Sequence, residues 1–194
     1  MGKIACIFGS TGLIGSYLLE LLTSDERYAK IIVFNRTQVS LSNPKIVQIV
    51  SEYSDLEKHK LQLMADEYYC CLGTTMKKAK TKPAFEYVDY QLPVEIGKLA
   101  LHNNVSSYLV VSSIGASAKS GNFYLSTKGK MEESIKVLGL KNLFIFRPSM
   151  LLGKRNETRI TAASLLFHDS SPGVPQAEKL RNLVEGLSCC VIFG

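Results

Sequence analysis

Apolar positions along this chain gather into short unbroken runs, and the stretches between them carry a helical period. The runs predict strands near 3–8, 31–35, 45–50, 67–72, 107–113 and 142–147. Apolar residues three and four apart predict helices near 12–23, 84–103 and 122–138, with a weaker one near 54–64. Farther along, 176–187 repeats the helical pattern and 189–193 reads as a short strand. Strands that are apolar throughout and alternate with helices belong to a parallel sheet covered on both faces, the doubly wound α/β class. No internal repeat, low-complexity tract or heptad interrupts the pattern, and no linker divides it. The Ser/Pro/Gly-rich stretch 170–175 reads as a turn or a flexible loop, after which the pattern is less regular. A length of 194 residues suits one domain, residues 1–194, with a full core.

The first strand runs straight into Gly9-Ser10-Thr11-Gly12-Leu13-Ile14-Gly15 and then into an amphipathic helix. Such a turn forms a phosphate cradle: glycine permits a sharp bend and close approach. The helix that follows aims unpaired N–H groups and a positive dipole end at an anion. In a dinucleotide fold the three glycines make the turn, admit the pyrophosphate and let the helix pack. The spacing differs from Gly-x-Gly-x-x-Gly, so the flanking strand and helix carry the assignment.

Ligands of open α/β sheets sit outside the carboxyl ends of the strands, so those ends bear the candidate chemistry. The second strand ends at Asn35-Arg36. An acidic residue there would bind a ribose hydroxyl and repel a 2′-phosphate. A guanidinium instead suits that phosphate, which favours NADP over NAD, the alternative being an ordinary surface turn. Glu52 or Asp55, after the third strand, offers an acidic group near an adenine but matches no pattern. The fourth strand leads to Leu72-Gly73-Thr74-Thr75, where glycine allows close approach and the threonines offer hydroxyls; a plain strand-ending turn is the alternative. The fifth ends in Ser112-Ser113, and Tyr124 with Lys128 follows on a predicted helix. Four residues apart, they share one helical face. An ammonium beside a phenol favours the phenolate and suits it to proton transfer. A serine hydroxyl can polarise a substrate carbonyl. The sixth strand ends at Arg147-Pro148, with Ser149 and Met150 next along the crevice.

Composition adds few constraints. Apolar residues at 46% and charged residues at 21% are ordinary for a globular protein. Five cysteines form no Cys-x-x-Cys pair, and four lie as neighbours in apolar runs, which predicts buried thiols rather than a disulfide or zinc framework. Much of the net charge of +6 sits in a loop-like stretch holding Lys77, Lys78, Lys80 and Lys82. No nucleic-acid motif accompanies it, so no nucleic-acid partner is expected. Nor is a membrane partner: the one candidate span, Ile4 to Leu22, is broken by glycines and Glu20. A cytoplasmic location is the resulting expectation.

In order, the glycine turn, Ser-Ser, Tyr-x-x-x-Lys and Arg-Pro make the chain resemble the atypical short-chain dehydrogenase/reductase superfamily. It is most similar to the Tat-interacting-protein oxidoreductase family, through Cys-Cys-Leu-Gly-Thr-Thr (70–75), Val-Ser-Ser-Ile-Gly-Ala (111–116), Asn-Phe-Tyr-Leu-Ser-Thr-Lys-Gly (122–129) and Phe-Arg-Pro-Ser-Met-Leu-Leu-Gly (146–153). The resemblance covers roughly residues 3–160, and the chain beyond departs from it. It implies a Rossmann-type sheet of strand order 3-2-1-4-5-6 with NADP(H) in its crevice. Gly9, Ser10, Thr11, Gly12, Leu13, Ile14 and Gly15 would line the pyrophosphate, Asn35 and Arg36 the 2′-phosphate. Leu72, Gly73, Thr74, Lys128 and Pro148 would border the rest of the cofactor. Tyr124 and Lys128 would form the reaction centre with Ser112 or Ser113, acting on a small carbonyl or alcohol. Relatives that regulate other proteins make an NADPH-binding interaction module with a protein partner the alternative.

Overall fold

A computed structural model describes residues 2–148. The sequence readings at Ser149, Met150, 170–175, 176–187 and 189–193, and those for Cys189 and Cys190, lie outside the described residues.

Six strands form one parallel sheet: β1 (Lys3–Phe8), β2 (Tyr28–Asn35), β3 (Ile46–Val50), β4 (Glu67–Cys70), β5 (Ser107–Val111) and β6 (Leu143–Phe146). Their spatial order is β3-β2-β1-β4-β5-β6, as expected. The order reverses beside β1, between β1 and β4, and this is where a doubly wound sheet opens a crevice at its carboxyl edge. Alternation along each strand sorts side chains into two cores. Cys6, Phe8, Ile32, Phe34, Tyr68 and Cys70 pack on one face. Ala5, Ile7, Ile31, Val33 and Tyr69 pack on the other, against Leu18, Leu19 and Leu22 of helix α1 (Leu13–Ser24). Cys6 and Cys70 are buried free thiols and Cys71 is a half-buried one, in line with the reading of the cysteine pairs.

Several elements differ from the pattern. The strands predicted to reach 72 and 113 stop at Cys70 and Val111, because the apolar run outlasts the pairing. The weak helix near 54–64 is a 3₁₀ segment, Tyr53–His59. The lysine-rich stretch is not a loop. It forms short helices α2 (Met76–Ala79) and α3 (Lys82–Glu86), whose first turns are capped by the Thr75 and Thr81 hydroxyls.

The long helix expected over 84–103 is also interrupted. A π-helical turn, Tyr87–Gln91, separates α3 from α4 (Leu92–His102). Pro93 supplies the cause. It brings no N–H to the carbonyl four residues back and its ring crowds that carbonyl. The turn before it widens, and the Leu92 N–H donates to the Tyr87 carbonyl, five residues behind. The last helix among the described residues, α5 (Phe123–Lys136), starts where the Asn122 side chain accepts from the Leu125 N–H.

Candidate functional site: a crevice at the carboxyl edge of the sheet

The glycine turn leaves β1 at Gly9, whose φ of +87° is open to glycine at little cost. The Gly12 N–H donates to the Gly9 carbonyl at 3.2 Å. At Gly15 a Cβ would fall 2.2 Å from the Gly9 oxygen, so α1 can lie this close to the turn only without a side chain there. Gly12 is the N-cap of α1 and no side chain caps its first turn. Those N–H groups therefore remain for an anion.

Next to the turn, at the end of β2, Asn35 is buried and accepts from the Ser10 hydroxyl at 3.0 Å. Its Nδ2 is the one buried side-chain polar atom among the described residues without a partner. A buried orphan donor carries a desolvation cost that a ligand oxygen would relieve. Arg36 follows, exposed to solvent. Glycine cradle, uncapped helix and orphan amide together fit the phosphates and ribose of a dinucleotide.

At the other end of the crevice, α5 crosses the loop that follows β5. A Cβ on Gly129 would come within 2.1 Å of the Ala118 nitrogen and the Ser117 carbonyl carbon. The Ser117 N–H donates to the Leu125 carbonyl, and the Ser126 hydroxyl to that of Ala118. This close seating brings the Ser112–Ser113 loop against the helix that carries Tyr124 and Lys128. Tyr124 is 37% exposed, its ring edge-on to Phe85. Lys128 is buried. Its ammonium lies 2.9 Å from Asp89 Oδ1 and donates to the Val111 carbonyl at 3.3 Å.

The two serines have different surroundings. Ser112 is 3% exposed and donates to Glu132 Oε1 at 2.5 Å. That carboxylate also takes both Arg147 Nε and Nη2, so the hydroxyl is held in an ion-pair network. Ser113 is half-buried, and its hydroxyl meets only its neighbour's carbonyl, Ile114 O, at 3.3 Å. Pro148 borders the same loop, its carbonyl accepting from the Ile114 N–H. Leu72, Gly73 and Thr74 continue from β4, and the Thr74 N–H donates to Asp89 Oδ2 at 2.8 Å.

The structure thus gathers all the candidate residues of the described chain along one edge of the sheet. Sequence reasoning missed Asp89, Glu132 and Gly129. Glu132 continues the spacing Tyr124, Lys128, one further turn along, and Gly129 follows the lysine directly. For Asp89 the available signal was Pro93, four residues on.

A model of the HIM1 family matches residues 32–177, three quarters of the sequence. The chain belongs to the HIM1 family. Protein FMP52-1, mitochondrial, of Scheffersomyces stipitis is 33% identical to it over 158 residues, covering 80% of this chain and 70% of that protein. Protein HTATIP2 of Rattus norvegicus is 29% identical over 167 residues, covering 81% of this HIM1-family chain and 66% of the other. The resemblance read from the motifs is therefore borne out. Among solved structures, the Bordetella bronchiseptica enzyme WbmG in complex with NAD superposes with a TM-score of 0.63 at 15% identity. That match covers 76% of this chain and 53% of WbmG, so the chain spans about half of that enzyme. The fold is the Rossmann type that WbmG shares.

One expectation is overturned. Relatives named mitochondrial recur in Scheffersomyces stipitis, Candida albicans and Emericella nidulans, against a cytoplasmic location. That expectation rested on the want of a leader-like segment, and such an absence carries no argument about compartment. Among the described residues, no helix is long and apolar enough to cross a membrane.

Proposed function

We propose that this HIM1-family chain is an NADP(H)-dependent oxidoreductase that interconverts a small carbonyl compound and its alcohol. The observation that carries this reading is Lys128. Its buried ammonium stands at the carboxyl edge of the sheet, one helical turn beyond a half-exposed tyrosine, on the edge that also bears the glycine cradle. A bound NADPH would supply the hydride.

The chain's residues do the rest. Gly9, Gly12 and Gly15 with the N-terminus of α1 hold the pyrophosphate. Arg36 and the orphan Asn35 amide take the ribose and its 2′-phosphate, and Arg36 gives the preference over NADH. Leu72, Gly73, Thr74 and Pro148 bound the pocket. Lys128 has two of its three donors engaged, leaving the third for a ribose hydroxyl. Tyr124 passes the proton to or from the substrate oxygen. Ser113 is assigned the donor to that oxygen, because Ser112 is already committed to Glu132. The WbmG complex with NAD supports the cofactor class, and the FMP52 relatives support a mitochondrial location.

Titration of the protein with NADPH and NADH tests this reading. NADPH is expected to bind at least about tenfold more tightly, and Arg36→Ala to erase the difference. Tyr124→Phe should keep cofactor binding and lose about 10²-fold or more in turnover on a carbonyl panel. Binding of neither cofactor overturns the proposal. Binding without turnover on any substrate favours a cofactor-sensing interaction protein.

A further inference from the structure

Asp89 is the least expected group at the site. It stands in the middle of the π-helical turn and is 1% exposed, against 3% for the Lys128 side chain that it faces. Burying two opposite charges costs more than their attraction returns unless the remaining hydrogen-bonding positions are filled. Here they are. Oδ1 faces the Lys128 ammonium at 2.9 Å and Oδ2 accepts the Thr74 N–H at 2.8 Å. The two oxygens thus join parts of the crevice that no strand pairing connects directly: the backbone after β4 and the lysine on α5. A regular helix through Pro93 would not carry the widened turn that presents this carboxylate, and such turns recur at functional sites.

We propose that Asp89 is the positioning residue of the site. Its carboxylate holds the Lys128 ammonium in the crevice and ties it to the Leu72–Thr74 backbone, so that a ligand bound at the lysine is felt at the Thr74 amide. The cofactor part of this proposal rests on the oxidoreductase reading; the bridge itself does not. Lys128 has no other carboxylate within reach among the described residues, and its second contact is the Val111 carbonyl. Without Asp89 the flexible lysine stem would lose its one charged anchor.

The bridge is tested without any ligand. Asp89→Asn, Lys128→Met and the double variant are compared by thermal melting, with the Thr74 amide followed by NMR. Each single variant leaves a buried group of the pair unmatched, and each should melt below the wild type. The double variant should melt above Asp89→Asn, since the stranded ammonium is gone. The Thr74 amide proton should move upfield in Asp89→Asn as its charged acceptor is lost. Fully additive losses, or an unmoved Thr74 resonance, overturn the bridge.

The cofactor role is then tested with NADPH. Asp89→Asn should weaken NADPH binding about tenfold or more and leave the NADPH to NADH ratio intact, because Arg36 is untouched. In the Lys128→Met background the same change should cost less than twofold. Wild-type affinity in Asp89→Asn overturns the positioning role. Failure of the wild type to bind either cofactor removes the oxidoreductase reading and with it the cofactor role, while the ligand-free comparison still decides the bridge.

Discussion

At the scale of single residues, two adjacent serines that look equivalent in the sequence have different duties in the structure. Ser112 gives its hydroxyl to a buried carboxylate; Ser113 keeps its own beside the crevice. Ser112→Ala is therefore expected to cost about 1–2 kcal/mol of stability, read from denaturant unfolding, because the Glu132 network loses a donor. Ser113→Ala should leave stability within about 0.5 kcal/mol and lower turnover about 10²-fold on any substrate that the wild type accepts. The place of the glycines, and of Tyr124 with Lys128, was legible because each set keeps a fixed local spacing, and that of Asn35 because it ends a strand. The choice between the serines was not. It depends on Glu132, 20 residues away along the chain, which meets Ser112 only in the fold and is itself held by Arg147.

Between elements, the contact of α5 with the post-β5 loop sets the geometry of the proposed reaction centre, and it hinges on a missing side chain at Gly129. A methyl group there would meet backbone atoms at 2.1 Å, and backbone cannot give way as a side-chain tip can. Gly129→Ala is expected to destabilise by about 3 kcal/mol or more. The melting temperature should fall by roughly 6–12 °C. NADPH binding at the lysine end should weaken with it. The helices α1 and α5 could be read from periodicity, and the strand order followed from the family resemblance. The π-helical turn could not, because its helical period runs on unbroken through Pro93, and only the missing N–H reveals where the ladder loosens.

For the whole molecule, the buried charges divide between opposite ends of the strands. Away from the crevice, Glu67 accepts from Tyr28 at 2.5 Å, from Tyr69 at 2.7 Å and from Lys3 at 2.7 Å. Burial alone would push this carboxyl up, but the hydrogen bonds from Lys3, Tyr28 and Tyr69 outweigh it and hold it below the ordinary glutamate value. A depressed carboxylate lends stability that is complete above its unfolded value, roughly 4.3, and is lost as pH falls through the folded one. Glu67→Gln should flatten this acid limb in urea melts at stepped pH and cost about 1–3 kcal/mol near neutrality. The sheet's strand order has a different kind of consequence, one of timing. β1 sits in the interior of the sheet, yet β4, its second neighbour, arrives about 60 residues later in the chain. Until β4 has been made, Ala5–Phe8 presents an apolar edge with open backbone groups, a template for pairing with another nascent chain. The strand that anchors the finished crevice is thus also the segment most in need of a chaperone's cover while the protein is being synthesised.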